Sequence, residues 1–143
     1  MAEIIDNFIK NAPKITDDIL NKRTGYDSEL CKLWNIERVD SKYYDAIIYG
    51  IKVEIKKQKG CQWFNLMRYI SNEQIWTIFL FYSKGKVTDY AIVDSLNIKK
   101  RLIPDDETNE CLKILLNKLP KSQTLISLGK SEIIKLATIH RSV

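Results

Sequence analysis

Residues 43–59, reading YYDAIIYGIKVEIKKQK, constrain this chain more than any other segment. Ile51, Val53 and Ile55 are apolar while Lys52, Glu54 and Lys56 are charged, which is the period of a strand buried on one face. Upstream, Tyr44, Ala46 and Ile48 alternate with Tyr43, Asp45, Ile47 and Tyr49, and Gly50 supports a tight turn between the two runs. A two-residue Tyr49-Gly50 loop pairs Ile48 with Ile51. Counting outward then sets Asp45 directly opposite Glu54. A loop of odd length would slip the pairing by one residue, and Tyr49 suits the positive φ of a type I′ turn poorly.

Directly opposed residues of an antiparallel pair have Cβ atoms about 4.5–5.5 Å apart. Two carboxylates at that distance repel by roughly 3 kcal/mol at an effective dielectric of about 20. A hard cation would turn the repulsion into a ligand set, because Mg²⁺ takes carboxylate oxygens and keeps several waters. Glu54 and Lys56, two residues apart, project from the same strand face. The bland alternative is a half-exposed strand whose Glu-x-Lys is solvated surface. Three neighbours favour the chemical reading: Asp45 at the matching position, a carboxylate on an upstream helix, and a basic run downstream.

A chain of 143 residues is enough for one domain with a real core. Its 45% apolar and 29% charged residues are those of a globular protein, which argues against a disordered or membrane class. No apolar run approaches the ~20 residues that span a bilayer. Glu3 and Asp6 stand where a signal peptide needs positive charge, so an intracellular, reduced setting is expected. Cys31, Cys61 and Cys111 are odd in number and scattered, and His140 is the only histidine, which disfavours a zinc site or a disulfide framework. A Cys–His nucleophilic pair competes with the simpler reading of buried cysteines as small hydrophobes. The net charge of +5 matters through its clustering, at Lys52, Lys56, Lys57 and Lys59 and again at Lys99, Lys100 and Arg101. Such clusters suit an anionic partner.

Along the chain, residues 3–10 have helical spacing, Asn11-Ala12-Pro13 interrupts, and residues 15–34 are helical again with a break near Thr24-Gly25. Asp27 or Ser28 can cap the later part, on which Leu30, Leu33 and Trp34 share a face bordered by Glu29. After the hairpin, residues 61–74 read as a helix with Phe64, Met67 and Ile70 turned inward, although their aromatics would also suit a strand. Residues 75–82, IWTIFLFY, read as a central strand buried on both faces, and 87–95 as its return strand. Residues 96–103 read as a short strand or loop. Pro104 opens a helix to about Lys118 with Leu112, Leu115, Leu116 and Leu119 as its stripe, and Pro120 stops it. Residues 124–128 make one more short strand and 130–140 a final helix. Trp63 and Trp76 are expected in the core and His140 on the surface. The order predicts an α/β (or α+β) fold with a central mixed β-sheet flanked by helices.

This arrangement resembles the PD-(D/E)xK nuclease superfamily, the restriction-endonuclease-like fold shared with archaeal Holliday-junction resolvases. The resemblance rests on Glu29, Asp45, Glu54 and Lys56 and on element order from about residue 27 to 95. Tyr44 stands where the family often has proline, and the Asp45–Glu54 separation is at the short end. The resemblance implies that Asp45, Glu54 and the Ile55 carbonyl hold Mg²⁺ (or Mn²⁺) and that Lys56 orients or deprotonates the attacking water. Glu29 either contacts a second metal or is a helix-surface carboxylate. Lys57, Gln58 and Lys59 would run toward double-stranded DNA, Gln58 being either a base contact or solvated, and Arg68 either a phosphate contact or a surface ion pair. The implied activity is that of a type II restriction endonuclease, working as a homodimer through the apolar residues between Ile4 and Leu20. A structure-selective resolvase or repair nuclease is the second reading, and an inactive nuclease-fold DNA-binding protein the third.

Overall fold

The computed structural model describes residues 1–41, 43–65, 69, 74–103, 105–116, 118–119 and 125–143. Three helices open the chain: α1 (Ala2–Asn11), α2 (Asp17–Asn21) and α3 (Tyr26–Trp34). Gly25, at φ 73°, caps α3, so the helix starts before the expected Asp27 or Ser28 cap. Strands β1 (Glu37–Arg38), β2 (Ala46–Ile48) and β3 (Ile51–Gln58) follow, then β4 (Cys61–Asn65), β5 (Trp76–Ser83) and β6 (Lys86–Asp94). The chain closes with α4 (Ser95–Leu102), α5 (Asp106–Leu116), β7 (Leu125–Gly129), α6 (Lys130–Leu136) and β8 (Ile139–Ser142).

Six strands form a mixed sheet in the order β1-β2-β3-β5-β6-β8, in which only β3 and β5 run parallel. β4 and β7 make a separate antiparallel pair. As expected for a doubly buried strand, β5 is buried from Trp76 to Phe81. Its alternate residues serve two cores. Val53, Ile55, Ile78 and Leu80 join Ile5, Leu30 and Trp34 beneath α1 and α3. Phe79, Phe81, Ala91 and Val93 join Phe64, Ile98, Leu128 and Ile133 from β4, α4, β7 and α6. The expected mixed sheet flanked by helices is therefore present.

Several elements differ from the sequence reading. Residues 61–65 are strand, not helix, because β7 pairs with them from Cys61↔Gly129 to Asn65↔Leu125. Met67, Arg68 and Ile70 lie outside the described residues. Residues 95–102 are helix rather than strand or loop: the Asp94 carboxylate accepts the Leu96 N–H at 2.9 Å, and Lys99, Lys100 and Arg101 fall in the last turn, where the helix dipole favours cations. The last expected helix stops at Leu136, and Ile139–Ser142 pairs with β6 instead. On α5, Leu112 packs inward but Leu115 is exposed, as is Leu119 beyond it. Pro104 and Pro120 lie outside the described residues. Trp76 is buried as expected, whereas Trp63 is exposed.

The apolar residues expected to supply a dimer interface are used inside the chain. Ile5 and Leu20 are buried, and Phe8, Ile9, Ile15 and Ile19 pack on the core, leaving Ile4 exposed. Among the described residues, no helix is long and apolar enough to cross a membrane.

Candidate active site

The β2–β3 hairpin turns through Tyr49 and Gly50, with φ 48° and 78°. Both positive values match the tight two-residue turn, and Ile48↔Ile51, Ile47↔Lys52 and Ala46↔Val53 follow in the expected register. Tyr49 tolerates the left-handed conformation with its ring edge-on to Phe8, centroids 6.0 Å apart.

One residue further out the register changes. The Asp45 N–H donates to the Val53 carbonyl at 2.9 Å, so Asp45 and Ala46 share Val53 in the manner of a β-bulge. Asp45 therefore does not stand opposite Glu54 in the ladder, a correction to the count from the turn. On its other side Asp45 stays in step with β1: Val39 N–H donates to the Asp45 carbonyl at 2.8 Å, the next rung after Arg38↔Ala46.

Where β2 leaves, β3 has backbone groups with no strand beside them, and side chains take those places. The Asp45 carboxylate accepts the Ile55 N–H at 2.8 Å. The Tyr26 hydroxyl, from α3, donates to the Ile55 carbonyl at 3.1 Å and accepts from the Lys57 N–H. Burial pushes the Tyr26 phenol up to about 12, with Asp45 adding to the rise, so it stays a hydroxyl donor at neutral pH.

Glu54 is buried beside Lys56, whose ammonium lies 3.4 Å from its carboxylate. Lys56 also sits over the Phe64 ring, 5.7 Å from the centroid. Burial raises the Asp45 pKa above the usual aspartate value; the Ile55 N–H offsets part of this, Glu54 and Asp27 add to it, and Lys56 opposes it. The two carboxylates and the ammonium thus act on one another at the middle of β3.

The upstream acid differs from the expected one. Glu29 is held by Lys22 and Lys32, each at 3.7 Å. Asp27, two residues earlier and so on another side of α3, is the helix carboxylate that acts on Asp45 and Tyr26, and it pairs with Arg38 at 3.3 Å. The sequence signal for it was only that one helix offers two acids, of which the pairing decides.

The expected DNA-side residues separate. The Lys57 ammonium turns onto the Leu20 and Lys22 carbonyls at the end of α2 and lies 4.9 Å over the Tyr26 ring. Gln58 is buried rather than solvated: its amide donates to the Gly60 carbonyl at 2.5 Å, and its Oε1 has no partner among the described residues. Lys59 is exposed. Arg68 lies outside the described residues.

His140 is exposed, as expected, and its ring also meets a buried carboxylate. Asp89 receives the His140 ring at 2.6 Å, Lys130 at 2.8 Å and the Thr88 hydroxyl at 2.5 Å. On the other face of the sheet, Asp6 receives the Tyr90 hydroxyl at 2.6 Å, with Lys10 and Arg141 each at 3.2 Å. Adjacent residues of β8 thus fasten to one buried acid on each face.

Among the described residues there is no group of three or more His, Cys, Asp or Glu side chains placed to hold a metal ion. Asp45, Glu54 and the Ile55 carbonyl, which accepts the Tyr26 hydroxyl, are all oxygen donors, the kind that suits Mg²⁺, a cation that binds through one or two carboxylates and keeps its waters. The raised Asp45 pKa fits the same group, since a nearby cation would favour the ionised form that burial and Glu54 oppose. No family profile matches the chain, and neither a curated protein nor a solved structure matches it.

Proposed function

We propose that this chain is a Mg²⁺-dependent endonuclease acting on double-stranded DNA, with the core of a PD-(D/E)xK nuclease. The observation that carries the reading is the meeting of Asp45, Glu54, Lys56 and the Ile55 carbonyl where β2 departs from β3. Mg²⁺, or Mn²⁺ in its place, would supply Lewis-acid polarisation of the scissile phosphate and a more acidic bound water. Asp45, Glu54 and the Ile55 carbonyl would hold it. Lys56, on the same strand face as Glu54, would orient the attacking water or take up its proton, and then balance the charge that develops on phosphate oxygens. Asp27 takes the part expected of Glu29, as the α3 carboxylate that acts on Asp45. Lys59 remains an exposed cation for phosphate.

A restriction-type enzyme cutting both strands needs a symmetric pair of chains, one site for each strand. Incubating supercoiled plasmid, linear duplex and four-way junction DNA with the protein and Mg²⁺ tests the proposal. Discrete plasmid fragments support the restriction reading. Cleavage confined to the junction moves the assignment to a resolvase. DNA binding without cleavage of any substrate, in Mg²⁺ or Mn²⁺, would leave an inactive nuclease-fold binder and refute the catalytic role.

A further inference from the structure

A cavity of about 590 Å³ opens between α1, the segment that follows it, and the β5, β6 and β8 end of the sheet. That is the size of a small-molecule site. Leu80 and Tyr90, which line it, belong to the core beneath α1, whereas Glu54 and Lys56 pair in register with Thr77 and Phe79 on the other face. The cavity and the nuclease candidate are therefore on opposite sides of the sheet.

Its lining is graded. Trp34, Leu80 and Tyr90 are buried and form the floor; Ile9, Ile15 and Val87 are half-buried and form the walls. Four exposed cations, Lys10, Lys14, Lys86 and Arg141, stand around this apolar interior. Lys10 and Arg141 share the single buried carboxylate of Asp6, and that carboxylate also takes the Tyr90 hydroxyl. Asp17 is the one acidic side chain among the lining residues, and Val143 brings its terminal carboxylate to the same rim. Lys14 and Lys86 have no ion-pair partner among the described residues. Counting Asp6, Asp17 and the terminal carboxylate of Val143, four cations face three carboxylates, so the mouth keeps one positive charge in excess over an apolar floor.

We propose that this cavity binds an aliphatic carboxylate: an anionic head at Lys14 and Lys86, with a medium-length acyl body on Ile9, Ile15, Leu80 and Val87. The surplus charge selects an anion, and the cavity is apolar beyond reach of a bare ion. Trp34 and Tyr90 are only 5% and 4% exposed, so they offer little ring face for a planar base, and the branched aliphatic walls suit an alkyl chain. The inference uses none of the proposed nuclease residues and stands or falls apart from them.

Calorimetric titration of the whole chain at low salt tests it, with octanoate, 1-octanol and inorganic phosphate as separate probes. Octanoate is expected to bind with a sub-millimolar Kd, and octanol and phosphate about tenfold or more weakly. The Lys14→Ala/Lys86→Ala variant, altered only at exposed positions, should melt as wild type does and bind octanoate about fivefold more weakly. Three results would each overturn the proposal: no octanoate binding at millimolar concentration, octanol binding as tightly as octanoate, or unchanged octanoate affinity in the double variant.

Discussion

The Asp45 carboxylate accepts the Ile55 N–H at 2.8 Å, where the next carbonyl of β2 would stand had that strand continued. One side chain thus ends a strand, completes its neighbour's hydrogen bonding and lies within the field of Glu54 and Lys56. A structural and a metal-binding role make opposite demands on its charge, and that opposition can be measured.

The folded-state pKa of Asp45 is raised, first by burial and further by Glu54. The folded chain therefore holds this proton more tightly than the unfolded chain. The ionised carboxylate costs stability above the raised value and costs none below the unfolded value of about 3.9. Asp45→Asn keeps an oxygen for the Ile55 N–H and removes the charge. Without divalent metal at pH 7 it should melt a few degrees above wild type, with the gap closing as pH falls through the aspartate range. Added Mg²⁺ should raise the melting temperature of wild type and leave the variant unchanged.

Tyr26→Phe removes the hydroxyl that meets the Ile55 carbonyl and the Lys57 N–H. Leaving these buried groups without that partner should cost about 1–3 kcal/mol in urea unfolding. Because the phenol titrates only near 12, the loss should be the same at pH 6 and pH 9.

Burial alone would raise the pKa of Asp6 and Asp89, but three hydrogen bonds to each carboxylate outweigh it and hold both below the ordinary value. A lowered folded-state pKa gives stability that is complete above the unfolded value and is lost as pH falls through the folded one. Asp89→Asn should cost about 1–3 kcal/mol at pH 7, and the difference from wild type should shrink as the pH drops below about 4. Thermal unfolding at a series of acid pH values reads this directly.

Gly50 has φ 78° at the hairpin turn, and a Cβ there would meet no neighbour. Gly50→Ala therefore adds backbone strain without a clash, and should lower stability by about 1–2 kcal/mol in the same unfolding assay.

The hairpin shows how far the residues alone carry the reading. Alternation and one glycine fixed the turn and three rungs, since both are local. They could not place Asp45, because nothing in the alternation marks the bulge, and β1, which holds Asp45 on its other side, is a two-residue strand with no signal of its own. Likewise Cys61–Asn65 became a strand through the distant β7, and its aromatic sequence fits either element. Glu29 and Asp27 lie on one short helix, and only the folded chain shows that Glu29 pairs with Lys22 and Lys32 whereas Asp27, paired with Arg38, acts on Asp45. The helix at Ser95–Leu102 is a different case. Its Asp94 cap and basic last turn are local signals that the sequence carries on its face.

The central claim is that Asp45, Glu54 and Lys56 form a metal-dependent phosphodiesterase site. Its most direct test is the rate of DNA cleavage in Mg²⁺ by wild type, Asp45→Ala and Lys56→Ala, each first shown to be folded by its melting transition. Wild type should cut, EDTA should stop it, and each variant should be slower by about a hundredfold or more. Absence of wild-type cleavage on plasmid, linear duplex and junction DNA, or equal rates for all three proteins, would contradict the account.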